Sequence, residues 1–280
     1  MARGLMPCLL GERFRIIARS ITMPRFPVPH DTSNASSPLT ARSTVLVTGG
    51  SGGIGRAICL EFGRAGWRVG VHYHTRKDDA EHIAAVVKEL GGEGLAYRAD
   101  LRHAACVRQM VQDCTAQWGR LDVMVCNAGQ ASSRLLLRLK PEEWASIIEI
   151  NLTGTFHCLQ SAGAVMLAQG VGSVIVVSSY AGVQGGTGQT VYAASKAGLL
   201  GLVKTAAREW GGSNVRVNAI LPGWHRTALS GGTMPDPGNL ADHVLGRTPD
   251  LQEVAGSVYH LALLKDASGQ IWNLDSRIVY

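Results

Sequence analysis

No run of eighteen or more apolar residues occurs in this chain of 280, so no membrane-spanning helix is expected. Nor is there a Cys-x-x-Cys pair: Cys8, Cys59, Cys106, Cys114, Cys126 and Cys158 are scattered, with no histidines beside them at metal-ligand spacing. No metal site is therefore expected, and reduced thiols in a cytoplasmic setting are the simple reading. Charge is sparse too, at 17% of residues, with a net value of +6. Four of those surplus charges fall in residues 1–42, where Arg3, Arg13, Arg15, Arg19, Arg25 and Arg42 face only Glu12 and Asp31. The remainder is nearly neutral and offers no basic groove, so nucleic acid is not an expected partner.

What is present divides at residue 42. The stretch 1–42 ends in a Pro-, Ser-, Thr- and Asn-rich run and reads as a disordered basic extension. Rich in arginine and poor in acid, it also fits a mitochondrial transit peptide, which would place the chain in the matrix, while Met23 opens a shorter reading frame. Residues 43–280 read as one domain. Short β-branched runs, "TVLVTG", "RVGVHY", "GLAYRAD", "VMVCNAG", "GSVIVVSS", "VRVNAILPG" and "GQIWNLD", alternate with helical stretches such as "IGRAICLEFGRAG" and "KDDAEHIAAVVKELGG". Continuous apolar strands separated by helices imply an α/β fold. The expectation is a single-domain, Rossmann-type doubly wound sheet of about seven parallel strands with helices on both faces.

After the first strand comes "TGGSGGIGRA", in which Gly50, Gly52 and Gly55 satisfy G-x-G-x-x-G. A helix beginning there would present unpaired N–H groups to a pyrophosphate, and glycine lets the phosphate approach the backbone. No Gly-Lys-Ser/Thr ending follows, which excludes a Walker phosphate loop. The second strand ends without a carboxylate: Tyr73 stands about where one would fall, followed by His74, Thr75, Arg76 and Lys77. A carboxylate there would repel a 2′-phosphate, so its absence suits NADP(H).

Further along, "TVYAASKAGLLGLVKTAAREW" reads as a helix in which Tyr192 and Lys196 are four apart and share one face. An ammonium near a phenol favours the phenolate and makes it a usable acid or base; lowering its pKa by about three units takes about 4 kcal/mol. Ser178 or Ser179, at the end of the preceding strand, could hold a carbonyl oxygen against that phenol. Asn151, a polar side chain in an apolar helix, reads as a structural hydrogen-bonder when taken alone. His72, His103, His157 and the tryptophans follow no ligand spacing and read as packing or surface, Met166 reads as core, and "RLLLRLK" (134–140) as an amphipathic lip near the substrate.

Together these motifs resemble the short-chain dehydrogenase/reductase family from Thr44 to Asp275. "TGGSGGIG" is similar to its cofactor turn (Thr48, Gly49, Ser51, Gly53, Ile54, Gly55), and "AD" at Ala99 and Asp100 to its adenine-contacting position, with Leu101 beside it also expected at the cofactor. "CNAG" is similar to its Asn-Asn-Ala-Gly segment with the first Asn replaced, leaving Asn127, Ala128 and Gly129. "PGWHRT" is similar to the run that brings Pro222, Gly223 and Thr227 to the nicotinamide. The resemblance implies Asn151, Ser179, Tyr192 and Lys196 as the catalytic tetrad. Tyr192 would be the proton donor, Ser179 would orient the carbonyl, Lys196 would bind the cofactor ribose and lower the phenol pKa, and Asn151 would hold a relaying water.

Within the family the likeness is nearest to bacterial 3-oxoacyl-[acyl-carrier-protein] reductases, which implies a ketone or acyl thioester substrate and a homodimer or homotetramer. Reduction of another small ketone, a sugar or a steroid, or a non-catalytic cofactor-sensing role, are the alternatives. Docking of an acyl carrier protein stays open, because the turns where relatives carry basic residues read "LAQGVGS" and "EWGGSN". The C-terminus, "SGQIWNLDSRIVY", also departs from the family's usual Asp-Gly-Gly ending.

Overall fold

The computed structural model describes residues 43–227, 229, 231 and 240–279. The basic extension read from the sequence, and most of the segment after Thr227, lie outside the described residues. In chain order the elements are β1 (Thr44–Val47), α1 (Gly53–Arg64), β2 (Arg68–Tyr73), α2 (Lys77–Glu89), β3 (Glu93–Arg98), α3 (Ala104–Trp118) and β4 (Val123–Cys126). Then follow α4 (Pro141–Ile148), a π-helical turn (Glu149–Thr153), α5 (Gly154–Gln169), β5 (Gly172–Val177) and the four-residue α6 (Ala181–Gln184). The chain continues through α7 (Thr190–Trp210), β6 (Val215–Leu221), α8 (Leu251–Leu263) and β7 (Ile271–Asn273).

All seven strands pair in parallel, in the order β3-β2-β1-β4-β5-β6-β7. The strands are apolar at nearly every position because helices cover both faces. Alternation within a strand still decides which layer a side chain meets. Val45 and Val47 pack in one buried cluster with residues of α1, α2 and α8, such as Ile58, Val87 and Val258. Leu46, between them, belongs to the opposite cluster with α3, α5 and α7, among them Met110, Cys158 and Leu199. Met166 is part of that second cluster, as its position in the sequence implies.

The chain builds outward from β1 to β3, then returns to lay β4 on β1's other side and builds outward again to β7. That reversal opens a crevice at the carboxyl ends of β1 and β4, the usual ligand position in such sheets. Each apolar run in the sequence outlasts its strand at that end. "TG", "NAG", "SS" and "PG" all lie beyond the last paired residue, in the loops that surround the crevice.

One helical layer is anchored by three rings. Phe62 meets Trp67 edge-on with centroids 4.9 Å apart, and Tyr259 of α8 closes on Phe62 at 5.2 Å and on Trp67 at 6.1 Å. Phe62 and Trp67 are buried, so truncation leaves a void that three separate elements surround. Phe62→Ala is expected to cost about 3–5 kcal/mol of stability. Equilibrium urea unfolding measures it, and a loss below about 1 kcal/mol, the scale of a surface change, would show that the layer does not depend on this ring.

Candidate active site

The turn between β1 and α1 forms the floor of a cleft of about 610 Å³, walled by Gly49, Ser51, Gly53, His74, Arg76, Asp100, Leu101 and Asn127 among others. Gly49 has φ +64°, and a Cβ there would stand 3.0 Å from the Ala128 Cα, so only glycine fits without strain. Gly55 is needed for a different reason. A Cβ on it would lie 2.3 Å from the Gly49 carbonyl oxygen, so its bare Cα lets α1 approach the strand. Helix α1 begins with no side-chain cap and no acid in its first turn, which leaves its N-terminal N–H groups open to an anion.

At the rim, Arg76 packs its guanidinium over the turn: a Cβ on Gly52 would be 2.9 Å from both terminal nitrogens. It also lies 3.7 Å from Asp79. Asp100 is held by Arg102 through Nε (2.9 and 3.1 Å) and Nη2 (2.6 Å), with His103 at 3.2 Å and His74 at 3.7 Å. The Arg102 hydrogen bonds keep its carboxyl well below the usual carboxylate range. The glycine cradle and the open helix start together suit the pyrophosphate of a dinucleotide.

A second cleft, of about 560 Å³, adjoins the first and shares Ile54, Asn127, Gly129 and Thr227 with it. Ser179, Tyr192, Lys196, Pro222 and Gly223 are in its wall. Helix α7 spans the range expected from its sequence, and Tyr192 and Lys196 lie on one side of it. Tyr192 and Ser179 lie close enough for the serine hydroxyl to act on the phenol, opposing the rise of its pKa. Lys196 is buried and donates from Nζ to the Val177 carbonyl at 2.7 Å, with Nζ 5.8 Å from the Tyr192 ring centroid. Ser178 donates to the Lys196 carbonyl at 2.9 Å, so its hydroxyl is occupied in docking the helix while that of Ser179 faces the phenol.

Burial raises the Tyr192 pKa above its ordinary value of 10, and Ser179 opposes that rise. The Lys196 Nζ is directed at a strand carbonyl, and burial pushes its pKa down to about 8. Asn151 sits in the π-helical turn with Oδ1 accepting from Gln130 N (2.7 Å) and Nδ2 donating to Gln130 O (2.8 Å) and Ser195 Oγ (2.9 Å). Both amide donors are thus used, and the side chain ties the loop after β4 to α7. Thr48 is likewise absorbed, accepting from Asn127 N (2.8 Å) and Ala128 N (3.1 Å) below the cleft.

The short chain dehydrogenase family model matches residues 43–237. This chain belongs to that family. A 3-oxoacyl-[acyl-carrier-protein] reductase of Synechocystis sp. is 38% identical over 244 residues, covering 86% of this chain and 98% of that protein. One from Staphylococcus epidermidis is 39% identical over 206 residues, 74% of this chain and 83% of its own. Among solved structures, a dehydrogenase/reductase from Sinorhizobium meliloti superposes with TM-score 0.78 at 28% identity, covering 86% of this chain and 96% of that one. Levodione reductase gives 0.79 at 29%, with coverages of 85% and 97%. The protein is a short-chain oxidoreductase with the doubly wound fold of its relatives.

In this short-chain dehydrogenase, residues expected at the site converge on the two clefts, except Thr48, Gly55 and Asn151, which hold the walls from behind. The lip "RLLLRLK" is not amphipathic in place. It forms a 3₁₀ turn at Leu136–Arg138 with Leu135, Leu136 and Leu137 exposed, and Arg134 pairs with Glu143 at 2.7 Å.

His72, read from the sequence as packing or surface, is buried beneath the glycine turn. Its Nδ1 accepts from Gly49 N at 3.0 Å and its Nε2 lies 3.1 Å from the Ala99 carbonyl, an arrangement that requires the neutral Nε2–H tautomer. No spacing rule reveals this, because the partners are 23 and 27 residues away. Burial holds its pKa at about 4 against an ordinary 6.5. A depressed pKa means that the unfolded chain binds the proton first, so the stability His72 contributes is intact above pH 6.5 and is lost as pH falls toward 4. His72→Gln is expected to flatten the fall in melting temperature over that window. An equally steep fall in the variant would assign it to other groups.

Proposed function

We propose that this short-chain dehydrogenase reduces a ketone to a secondary alcohol, using NADPH and acting on a 3-oxoacyl thioester. One observation carries the reading: the Tyr192 phenol, the Ser179 hydroxyl and Lys196 line one wall of a cleft that shares Ile54, Asn127 and Gly129 with a glycine-lined dinucleotide cradle. The cofactor, when bound, supplies the hydride for the carbonyl carbon. The chain supplies the rest. Ser179 orients the carbonyl oxygen, and Tyr192 transfers its phenol proton to that oxygen as negative charge develops there. A pKa above 10 keeps that proton in place at neutral pH, the form a reduction consumes.

Lys196 keeps its ammonium beside the cofactor ribose position, anchored by Val177. Gly49, Ser51, Gly53 and Ile54 hold the pyrophosphate side. His74, Thr75 and Arg76 receive the 2′-phosphate, Asp100 and Leu101 border the adenine, and Asn127, Ala128, Gly129, Pro222, Gly223 and Thr227 border the nicotinamide half. The thioester reading rests on the 38–39% identity to reductases named for that substrate. The turns "LAQGVGS" and "EWGGSN" carry no Lys or Arg and Arg134 is paired with Glu143, which leaves Arg138 and Lys140 of the lip to meet an acidic carrier, and small or CoA-linked thioesters serve as substrates as well as carrier-bound ones. Exposed Trp144 of α4 and Phe156 of α5 support assembly as a homodimer or homotetramer.

Tyr192→Phe is expected to lower turnover of an acetoacetyl thioester at least about 100-fold, the scale of general acid catalysis, with NADPH affinity unchanged. Absorbance of NADPH and calorimetric titration read the two quantities. Retention of more than about a tenth of the rate would remove Tyr192 as the acid. For the cofactor, the unaltered protein should prefer NADPH to NADH, and Arg76→Glu should cut that preference about 10-fold or more by placing like charge at the phosphate. Equal use of both cofactors before mutation would contradict the assignment.

A further inference from the structure

Beyond β7 the chain turns back and forms part of the wall of the second cleft, where it departs from the family's usual ending. Asn273 Nδ2 donates to the Arg277 carbonyl at 2.6 Å, and His243 pairs with Arg277 as an antiparallel bridge. Arg277 lines the cleft together with Ser179 and Tyr192. Its guanidinium carbon lies 4.0 Å from the ring centroid of Tyr180, the residue that follows Ser179.

The guanidinium is held on one edge only. Asp275, with its carboxylate fully buried, takes the Nε side: Nε donates to Oδ2 at 2.6 Å and Nη2 pairs with the same oxygen. Five N–H groups are available on a guanidinium. The opposite edge, Nη1 and the outer N–H of Nη2, has no hydrogen-bond partner among the described residues. Stacking on Tyr180 and pairing with Asp275 remove most of the side chain's freedom before any ligand arrives, which favours recognition by geometry.

Charge narrows the ligand. Asp275 cancels the charge of Arg277, and Asp242 also lines the cleft without pairing to Arg277, so the surroundings disfavour an anion. His225, also in the wall, adds no positive charge: burial lowers its pKa, and its Nε2 lies 2.8 Å from the Pro222 carbonyl. A neutral sp² oxygen meets the free edge without that repulsion. We infer that the outer edge of Arg277 hydrogen-bonds a second carbonyl oxygen of the substrate, and so selects 1,3-dicarbonyl thioesters or esters over simple ketones. This assignment rests on the ketoreductase reading and adds a residue that sets its specificity.

The test compares ethyl acetoacetate, free acetoacetate and 2-hexanone as substrates with NADPH, for the unaltered protein, Arg277→Lys and the double variant Arg277→Met with Asp275→Asn. The double variant leaves no unpaired buried carboxylate, so it remains informative if the single one folds poorly. KM for the ester is expected to rise about 10-fold or more in both variants, the worth of one charge-assisted hydrogen bond, so that the ester-to-2-hexanone ratio of kcat/KM falls by about the same factor. An unchanged ester-to-ketone ratio would overturn the Arg277 assignment, leaving the residue a staple for the tail. A larger loss on free acetoacetate than on the ester would show anion recognition and overturn the neutral-carbonyl form. If the unaltered protein turned over none of the three, the ketoreductase reading itself would fail, a result distinct from turnover with an unchanged ratio.

Discussion

Helix α7 is clamped to the carboxyl end of β5 by two hydrogen bonds that cross in opposite senses, and the chemistry stands on that clamp. Ser178 reaches from the strand end to the Lys196 carbonyl, while Lys196 Nζ reaches back to the Val177 carbonyl. Gly182 allows the close approach, since a Cβ there would lie 2.8 Å from the Lys196 carbonyl carbon. With Lys196 fixed, Tyr192 one turn earlier has its direction set toward Ser179. The strand end therefore supplies both the serine that faces the phenol and the carbonyl that anchors the lysine.

Around that clamp the protein buries polar groups that a purely apolar core would exclude. Lys196, His72 and Asn151 each carry a desolvation cost, visible in the lowered pKa values of the lysine and the histidine. Each is offset by named partners: a strand carbonyl, a glycine N–H with a β3-end carbonyl, and the Gln130 backbone with Ser195. The large apolar clusters on either side of the sheet keep these groups fixed at the crevice edge. Through these bonds the glycine turn, the loop after β4 and α7 are tied to the crevice edge.

The fold was legible because its determinants are local. Apolar runs longer than a half-buried strand needs, alternating with helical periodicity, describe a sheet covered on both faces, and all seven runs are strands in the structure. Tyr192 and Lys196 were placed on one face by helical spacing alone. The thirteen-residue spacing from Ser179 to Tyr192 does not by itself show which serine faces the phenol. That depends on Ser178 being consumed by the Lys196 carbonyl. The lip of leucines was misread for the same kind of reason. An amphipathic pattern describes a helix only when there is a surface to lie on, and the 3₁₀ turn at Leu136–Arg138 leaves its leucines exposed.

By itself, the sequence determined the layered sheet, the glycine turn, the basic end of β2 and the company of serine, tyrosine and lysine. Those are properties of spacing and residue type. Only the tertiary structure decided the surroundings of the phenol, the neutral tautomer of His72, the partners of Asn151 and the arrival of Arg277 beside Tyr180. Each depends on burial and on partners more than twenty residues away in the chain or on another strand's carbonyl. Local pattern carries no information on the dielectric a side chain will meet, or on which distant group will claim its hydrogen bonds.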